Sequence, residues 1–133
     1  MSKIVSAVAT GLIIVSTFVT GAVDARGRSV SVQGSGGRGY TATSSAMHGD
    51  GYGSSTRSVQ ANGGYGMTTT RGHSVSDGTY TGGVTHTTNN GTSLGRATTA
   101  TANGDGATSY GTTFTGPTGG SSTISGTASH TPR

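Results

Sequence analysis

The chain contains no cysteine and no tryptophan, and only two of its 133 residues are proline. Without cysteine, the disulfide framework that stabilises many small exported domains is excluded. Glutamate is absent, and the only lysine is Lys3. Disordered segments are usually rich in proline, glutamate and lysine, so this composition argues against permanent disorder, which the low sequence complexity alone would favour.

Large apolar side chains are also scarce. Residues 26–133 contain five Val, two Met and one each of Leu, Ile and Phe, against 24 Gly and 39 Ser or Thr. So few apolar groups cannot offset the entropy lost on ordering the backbone, and a conventional hydrophobic core is excluded. Either the chain is disordered, or backbone hydrogen bonds, stacked like units and contacts with other copies stabilise its fold.

The first 25 residues have the layout of a secretory signal peptide. Lys3 precedes a mostly apolar run over residues 4–23, and Val23 and Ala25 are the small residues that a signal peptidase reads. We predict cleavage after Ala25 and a secreted, periplasmic or cell-surface location. The alternative is an uncleaved anchor, because the run is nearly long enough to span a bilayer. No later segment predicts a membrane span.

Glycine-containing turn signals recur every 13 to 15 residues beyond this point, and two kinds alternate. Such dipeptides tolerate the positive φ angles of tight turns. Signals of the same kind lie 27 or 28 residues apart. The predicted turn residues are Gly36, Gly37, Asp50, Gly51, Asn62, Gly63, Gly64, Asp77, Gly78, Asn90, Gly91, Asp105, Gly106, Gly119 and Gly120.

Residues 26–133 therefore form one repeat domain of about three and a half two-strand units. A shift of 27 places Gln33 on Gln60, and a shift of 28 places Asn62 on Asn90. The segments between turns are rich in Thr, Val and Tyr, which favour strands, and none has helical periodicity. Strands are predicted at residues 40–47, 52–61, 65–76, 79–88, 92–102, 107–116 and 121–129.

Two all-β architectures fit these units after the N-terminal signal helix. One is a β-solenoid or curli-like stack of two-strand rungs, which the alternating turn types favour. The other is an antiparallel β-meander. A solenoid would keep a column of aliphatic side chains in its interior. When the turns are aligned, however, the position of Val32 and Val59 is Thr87 and Thr115 in the later units. Weakly patterned strands tolerate register slips and intermolecular pairing.

Nothing in the sequence indicates catalysis, and we predict no enzyme activity, no cofactor and no metal site. Asp50, Asp77 and Asp105 each precede a turn glycine, a position that such residues occupy for backbone reasons. The four histidines occupy different positions of the unit, whereas zinc needs three or four converging ligands. The one Gly-x-Ser-x-Gly match, Gly91-Thr92-Ser93-Leu94-Gly95, is not followed by a predicted helix, which a nucleophile elbow requires after its serine.

The charge of residues 26–133, seven Arg against three Asp or +4, could favour an anionic polysaccharide or the cell envelope. Three dispersed Arg-Gly dipeptides do not suffice to indicate nucleic-acid binding. The Thr-x-Thr pairs resemble the ice-binding face of some antifreeze proteins. However, when the units are aligned on their turns, the position held by Thr41 and Thr68 is Arg96 in the next unit. We therefore expect the column of threonines to be interrupted.

The segment from Ser58 to Gly64, Ser-Val-Gln-Ala-Asn-Gly-Gly, and its copy near Ser31 resemble curlin repeats of the Gln-x-Gly-Gly-Asn type. The chain also resembles secreted bacterial Gly/Thr-rich proteins of unknown role. The curlin resemblance covers two short stretches and implies an extracellular fibre of the biofilm matrix. We expect an exported structural protein that self-assembles or coats the cell surface. The alternative is an extracellular binding module with a Thr/Arg-rich surface for polysaccharide, a partner protein or ice.

Overall fold

The computed structural model describes residues 24–129, and these form one eight-stranded antiparallel sheet. A single 3-10 turn at Ser35–Gly37 is the helical element of this part. The strands are β1 (Asp24–Gln33), β2 (Gly39–Gly49), β3 (Tyr52–Ala61), β4 (Gly66–Ser76), β5 (Thr79–Thr88), β6 (Ser93–Ala102), β7 (Ala107–Thr115) and β8 (Ser121–Ser129). The all-β prediction is confirmed.

The sheet is a meander, because each strand pairs with the next one along the chain and the spatial order is β1 to β8. The stacked rungs that the turn alternation favoured are not the arrangement observed. Alternate turns differ because they lie at opposite ends of the sheet, so a two-strand period arises from hairpins alone. No helix within residues 24–129 is long and apolar enough to cross a membrane.

The predicted signal peptide lies outside the described residues, apart from Asp24 and Ala25. These two residues begin β1, which is ten residues long. Cleavage after Ala25 would therefore remove the first two residues of β1 and leave the rest of the strand paired with β2.

Successive side chains of a strand point to opposite faces, and directly paired residues share a face. One face carries the even-numbered residues of every strand except β3 and β4, which contribute their odd-numbered residues. We call it the basic face, because all five strand arginines lie on it. The opposite face is Ser, Thr, Gly and Ala apart from Gln33, Met47, Tyr52 and Gln60, and we call it the hydroxyl face.

The sheet is a single layer without a core. No hydrophobic side chain of the described residues is buried, and the residues that are buried there are Gly49, Gly53 and Gly82. Contacts between neighbouring strands and their backbone ladders make up the packing. This agrees with the scarcity of large apolar residues in the sequence.

Candidate functional site

All the predicted turn residues lie in the connections between strands. Those from the glycine-pair and Asn-Gly signals lie at one end of the sheet, in the connections β1–β2, β3–β4, β5–β6 and β7–β8. Asp50, Asp77 and Asp105 lie at the opposite end, in the three remaining connections. Asp77 (φ 48°) and Gly78 (φ 72°) both have positive φ, as a two-residue hairpin turn requires.

The turn hydrogen bonds define which residues of the four units are equivalent. At the first end, an amide nitrogen donates to the carbonyl oxygen four residues later, at distances of 2.6 to 2.9 Å. The donors are Gly34, Ala61, Thr88 and Gly116, which are 27, 27 and 28 residues apart. Asn62 therefore corresponds to Asn89, and the predicted alignment of Asn62 with Asn90 is wrong by one residue.

With this alignment, two columns of the basic face are apolar at three of their four positions. Two residues before the donors lie Val32, Val59, His86 and Phe114, all on the basic face. Six residues after them lie Tyr40, Met67, Leu94 and Ser122, again on the basic face. Thr87 and Thr115, which the turn alignment had placed in the first column, lie on the hydroxyl face.

An amide ladder links successive hairpins at this end. The side-chain nitrogen of Asn62 donates to Gln33 Oε1 at 3.0 Å and to the Gly37 carbonyl oxygen at 3.1 Å. One unit later, Asn89 repeats both bonds, to Gln60 Oε1 at 2.7 Å and to the Gly64 carbonyl at 2.8 Å. The sequence analysis did not predict these hydrogen bonds. The 27-residue spacing of Gln33 and Gln60, which equals that of Asn62 and Asn89, is the pattern that indicates them.

A glycine makes room for each rung of this ladder. A Cβ atom placed on Gly66 would lie 2.5 Å from both Asn89 Oδ1 and Gln60 Oε1. Gly39 holds the equivalent position in the first rung, where a Cβ would lie 2.9 Å from Gln33 Oε1. The carbonyl oxygens of these glycines also accept the backbone N–H of Asn62 (2.9 Å) and of Asn89 (3.1 Å).

The ladder ends after two rungs for three reasons that lie in the sequence. In the third unit, Thr87 replaces the glutamine, Ser93 replaces the glycine and Pro117 replaces the asparagine. Proline has neither a side-chain amide nor a backbone N–H, so it can form neither bond. Asn90, the predicted turn residue, instead accepts the Thr92 N–H within its own turn at 3.2 Å.

The five strand arginines form a band that runs across the strands of the basic face. Arg26, Arg71 and Arg96 lie in one row of paired residues. Arg28 and Arg57 lie in the adjacent row, which continues to His86. His48 and His73 lie in the next row on the other side of the first. From β1 to β6 this basic band spans about 24 Å, at about 4.8 Å per strand.

One carboxylate lies on this face. Asp24 accepts from Arg26 Nη2 at 2.9 Å, in an exposed pair at the edge of the sheet. The other acidic side chains of the described residues are in the turns at the end of the sheet where β1 begins, and not on the strands. Like charges therefore dominate the band, and the predicted cleavage after Ala25 would remove its only acidic group.

Apolar side chains flank the band and are half exposed. Nine large ones on the basic face have exposed fractions between 40% and 60%. They are Val32, Tyr40, Met67, Val75, Tyr80, Leu94, Tyr110, Phe114 and Ile124. Several rings lie over glycines: a Cβ on Gly126 would be 2.6 Å from the Tyr110 hydroxyl oxygen, and a Cβ on Gly53 would be 2.6 Å from the His73 ring. Such aromatic cover compensates for glycine in a strand.

Two depressions, of about 930 and 640 Å³, lie along the basic face. Their walls include all five strand arginines and the three described histidines. His73 and Tyr80 stack in the larger depression, with ring centroids 6.5 Å apart and planes at 17°. In the same area Thr69 Oγ1 lies 2.9 Å from His86 Nδ1. The face thus forms a wide, shallow basic groove.

The hydroxyl face carries cross-strand pairs of hydroxyl groups. Ser58 and Thr68 are 3.1 Å apart, and Thr113 and Thr123 are 2.9 Å apart. The column of Thr41 and Thr68 does break in the third unit, but at Gly95 and not at Arg96, which lies on the opposite face. All five strand arginines lie on the basic face, whereas threonines occur on both faces, Thr69 and Thr98 among those on the basic one.

The two free edges of the sheet differ in their protection. Charged side chains on an edge strand discourage pairing with other chains. β1 carries Asp24, Arg26 and Arg28, whereas β8 has nine residues without a charge or a proline. The β8 edge is therefore the open one.

Among residues 24–129, no three His, Cys, Asp or Glu side chains lie close enough to hold a metal ion. The turn aspartates are on alternate connections, so neighbours are two strands or about 10 Å apart. His130 lies outside the described residues. The predictions of no enzyme activity and no cofactor stay predictions.

Comparison with protein-family models, with curated proteins and with solved structures finds no significant match to this chain.

Proposed function

We propose that this protein is an exported structural protein that assembles with further copies of itself through the edges of its sheet. The observation that carries the proposal is a single-layer sheet without a buried hydrophobic side chain and with an unprotected edge at β8. Isolated sheets of this kind have little to offset their ordering entropy. Each added copy extends the backbone ladder and stabilises the fold.

The meander suits continuation from copy to copy. β1 and β8 run in opposite directions because the sheet has eight antiparallel strands. A second copy placed with its β1 beside β8 would therefore continue the antiparallel order and keep each face on its own side. The charges of β1 would oppose another β1, but β8 carries no charge and can pair with it. This contact is heterologous and does not close on itself, so it produces a ribbon that coats a surface or grows into a fibre.

The first experiment is to purify the exported protein and follow its assembly with concentration. We expect circular dichroism of a β-protein, growth into ribbons that bind thioflavin T, and a diffraction spacing of about 4.7 Å between strands. A stable β-rich monomer at micromolar concentration would contradict the proposal and favour the binding module. A random-coil spectrum under every condition would contradict both. Mass spectrometry of the N-terminus checks cleavage after Ala25 on the same sample.

A further inference from the structure

The geometry points to the basic groove as a binding site for a linear acidic polysaccharide that runs across the strands. We propose that carboxylates on some of its sugars pair with Arg57, Arg71 and Arg96, and with Arg26 and Arg28 nearer the β1 edge. All residues of the site belong to one copy, and its test measures ligand binding and not the growth of ribbons, so the two proposals can fail separately.

Charge complementarity selects an anionic ligand. Five arginines share one face, and the only carboxylate there, Asp24, is already paired with Arg26 at the edge of the sheet. A depression lined by one sign of charge concentrates ligands of the opposite sign. The same distribution argues against a second copy packed face to face, since each basic band would then oppose another.

The spacing of the arginines favours a sparsely charged polymer. Within one row, Arg26 and Arg71 are three strands apart and Arg71 and Arg96 are two apart, or about 14 and 10 Å. A nucleic acid carries a phosphate about every 3.4 Å along each strand of a duplex. An acidic polysaccharide with a carboxylate on every second sugar has its charges much farther apart.

The positions of the aromatic rings also argue against nucleic acid. Proteins that bind single strands alternate basic groups with aromatic platforms on which bases stack. Here the residues between the arginines of the first row are Ala46, Ser55 and Val84. Tyr80 and Tyr110 lie to one side of the band, where their half-exposed rings offer apolar surface to the C–H groups of sugar rings.

The shape of the face argues against a flat lipid surface as the ligand. The arginines line the depressions of about 930 and 640 Å³, and do not project from a convex ridge. A chain-like ligand can lie in such a groove, whereas a bilayer would contact its rims. The groove spans about 24 Å from β1 to β6, at about 4.8 Å per strand.

The test is calorimetric titration of the purified protein with hyaluronan oligosaccharides, which carry a carboxylate on every second sugar. Neutral dextran, poly(dT) and phosphatidylglycerol vesicles serve as comparison ligands at equal concentrations of charge or sugar. We expect hyaluronan to bind, dextran not to bind, and binding to weaken as salt screens the charges. Tighter binding of poly(dT) or of the vesicles would overturn the assignment to a polysaccharide, and so would the absence of hyaluronan binding.

The variant R57Q/R71Q/R96Q tests the location of the site. At about twofold per exposed ion pair, we expect a loss of about tenfold in affinity for hyaluronan. Arg38→Gln removes one charge from the β1–β2 turn, outside the face, and should leave the affinity unchanged. R57K/R71K/R96K keeps the charges and should retain binding. Unchanged affinity in the triple glutamine variant, with normal circular dichroism and sedimentation, would overturn the site.

Discussion

At the scale of single residues, the amide ladder shows how a glycine can be required by its neighbours and not by its own backbone angles. Gly66 leaves the space in which Asn89 and Gln60 meet. The rung is therefore built from three residue types, on β3, on β4 and in the connection that follows β5. Replacing Gln60 or Asn89 removes the hydrogen bond between their side chains, and a larger residue at Gly66 fills the space that this bond occupies.

We predict that Gly66→Ala lowers the free energy of unfolding by about 1 kcal/mol, because the new Cβ displaces both amides and their hydrogen bonds. Chemical denaturation followed by circular dichroism measures the change. Gly63→Ala, in the turn that precedes β4, is the matched control, since its Cβ would meet no atom nearer than 3.9 Å. Equal effects of the two substitutions would show that the ladder contributes nothing to stability.

The faces of individual residues could not be read from the sequence, for a reason that is also local. Aligning Asn62 with Asn90 in place of Asn89 moves the third unit by one residue. In a strand, one residue exchanges every side chain between the two faces. The shifted alignment puts Thr87 and Thr115 in the column of Val32 and Val59, in place of His86 and Phe114. The apolar column is therefore not visible in the sequence.

At the scale of elements, most of the strands could be predicted. The bounds of β3, β5 and β8 agree with the predicted segments to the residue, because a glycine-containing turn limits them on both sides or on the side of the preceding strand. β1 was missed, since it begins beside the apolar N-terminal run and no turn signal precedes it. The meander could not be chosen over stacked rungs, because both need the same strands and turns.

The β8 edge yields the prediction at this scale. Ser125→Lys places a charge on the open edge strand, and we expect the concentration needed for assembly to rise by about tenfold. Thr99→Lys is the control in an interior strand. Ser125 and Thr99 flank Gly111 in one row of the hydroxyl face, so the two lysines differ mainly in their distance from the edge.

Sedimentation velocity over a concentration series measures this effect. If both variants raised the protein concentration needed for assembly by the same factor, the copies would contact each other through their hydroxyl faces and not through β8. The hairpins themselves should survive both substitutions, since Ser125 and Thr99 are exposed.

At the scale of the whole molecule, composition predicted the missing core but not the separation of the two faces. The strand arginines and most large apolar side chains lie on one face, and the other face is mainly Ser, Thr, Gly and Ala. A globular protein would cover the apolar face with a second layer. Here the arginine band interrupts that face, so it remains half exposed and suits a polar polymer better than another sheet.

If the proposed assembly is correct, folding depends on association, because a single layer buries little apolar surface to offset its ordering entropy. When only folded copies associate, mass action stabilises the folded state, and each tenfold rise in protein concentration adds up to about 1.4 kcal/mol. We therefore predict that the urea midpoint of the wild-type protein rises with its concentration. Ser125→Lys should flatten this dependence, because it weakens the contact between copies without removing a hydrogen bond within one sheet. A midpoint that stays constant in the wild-type protein would mean that one sheet is stable alone, and assembly would then not be what maintains the fold.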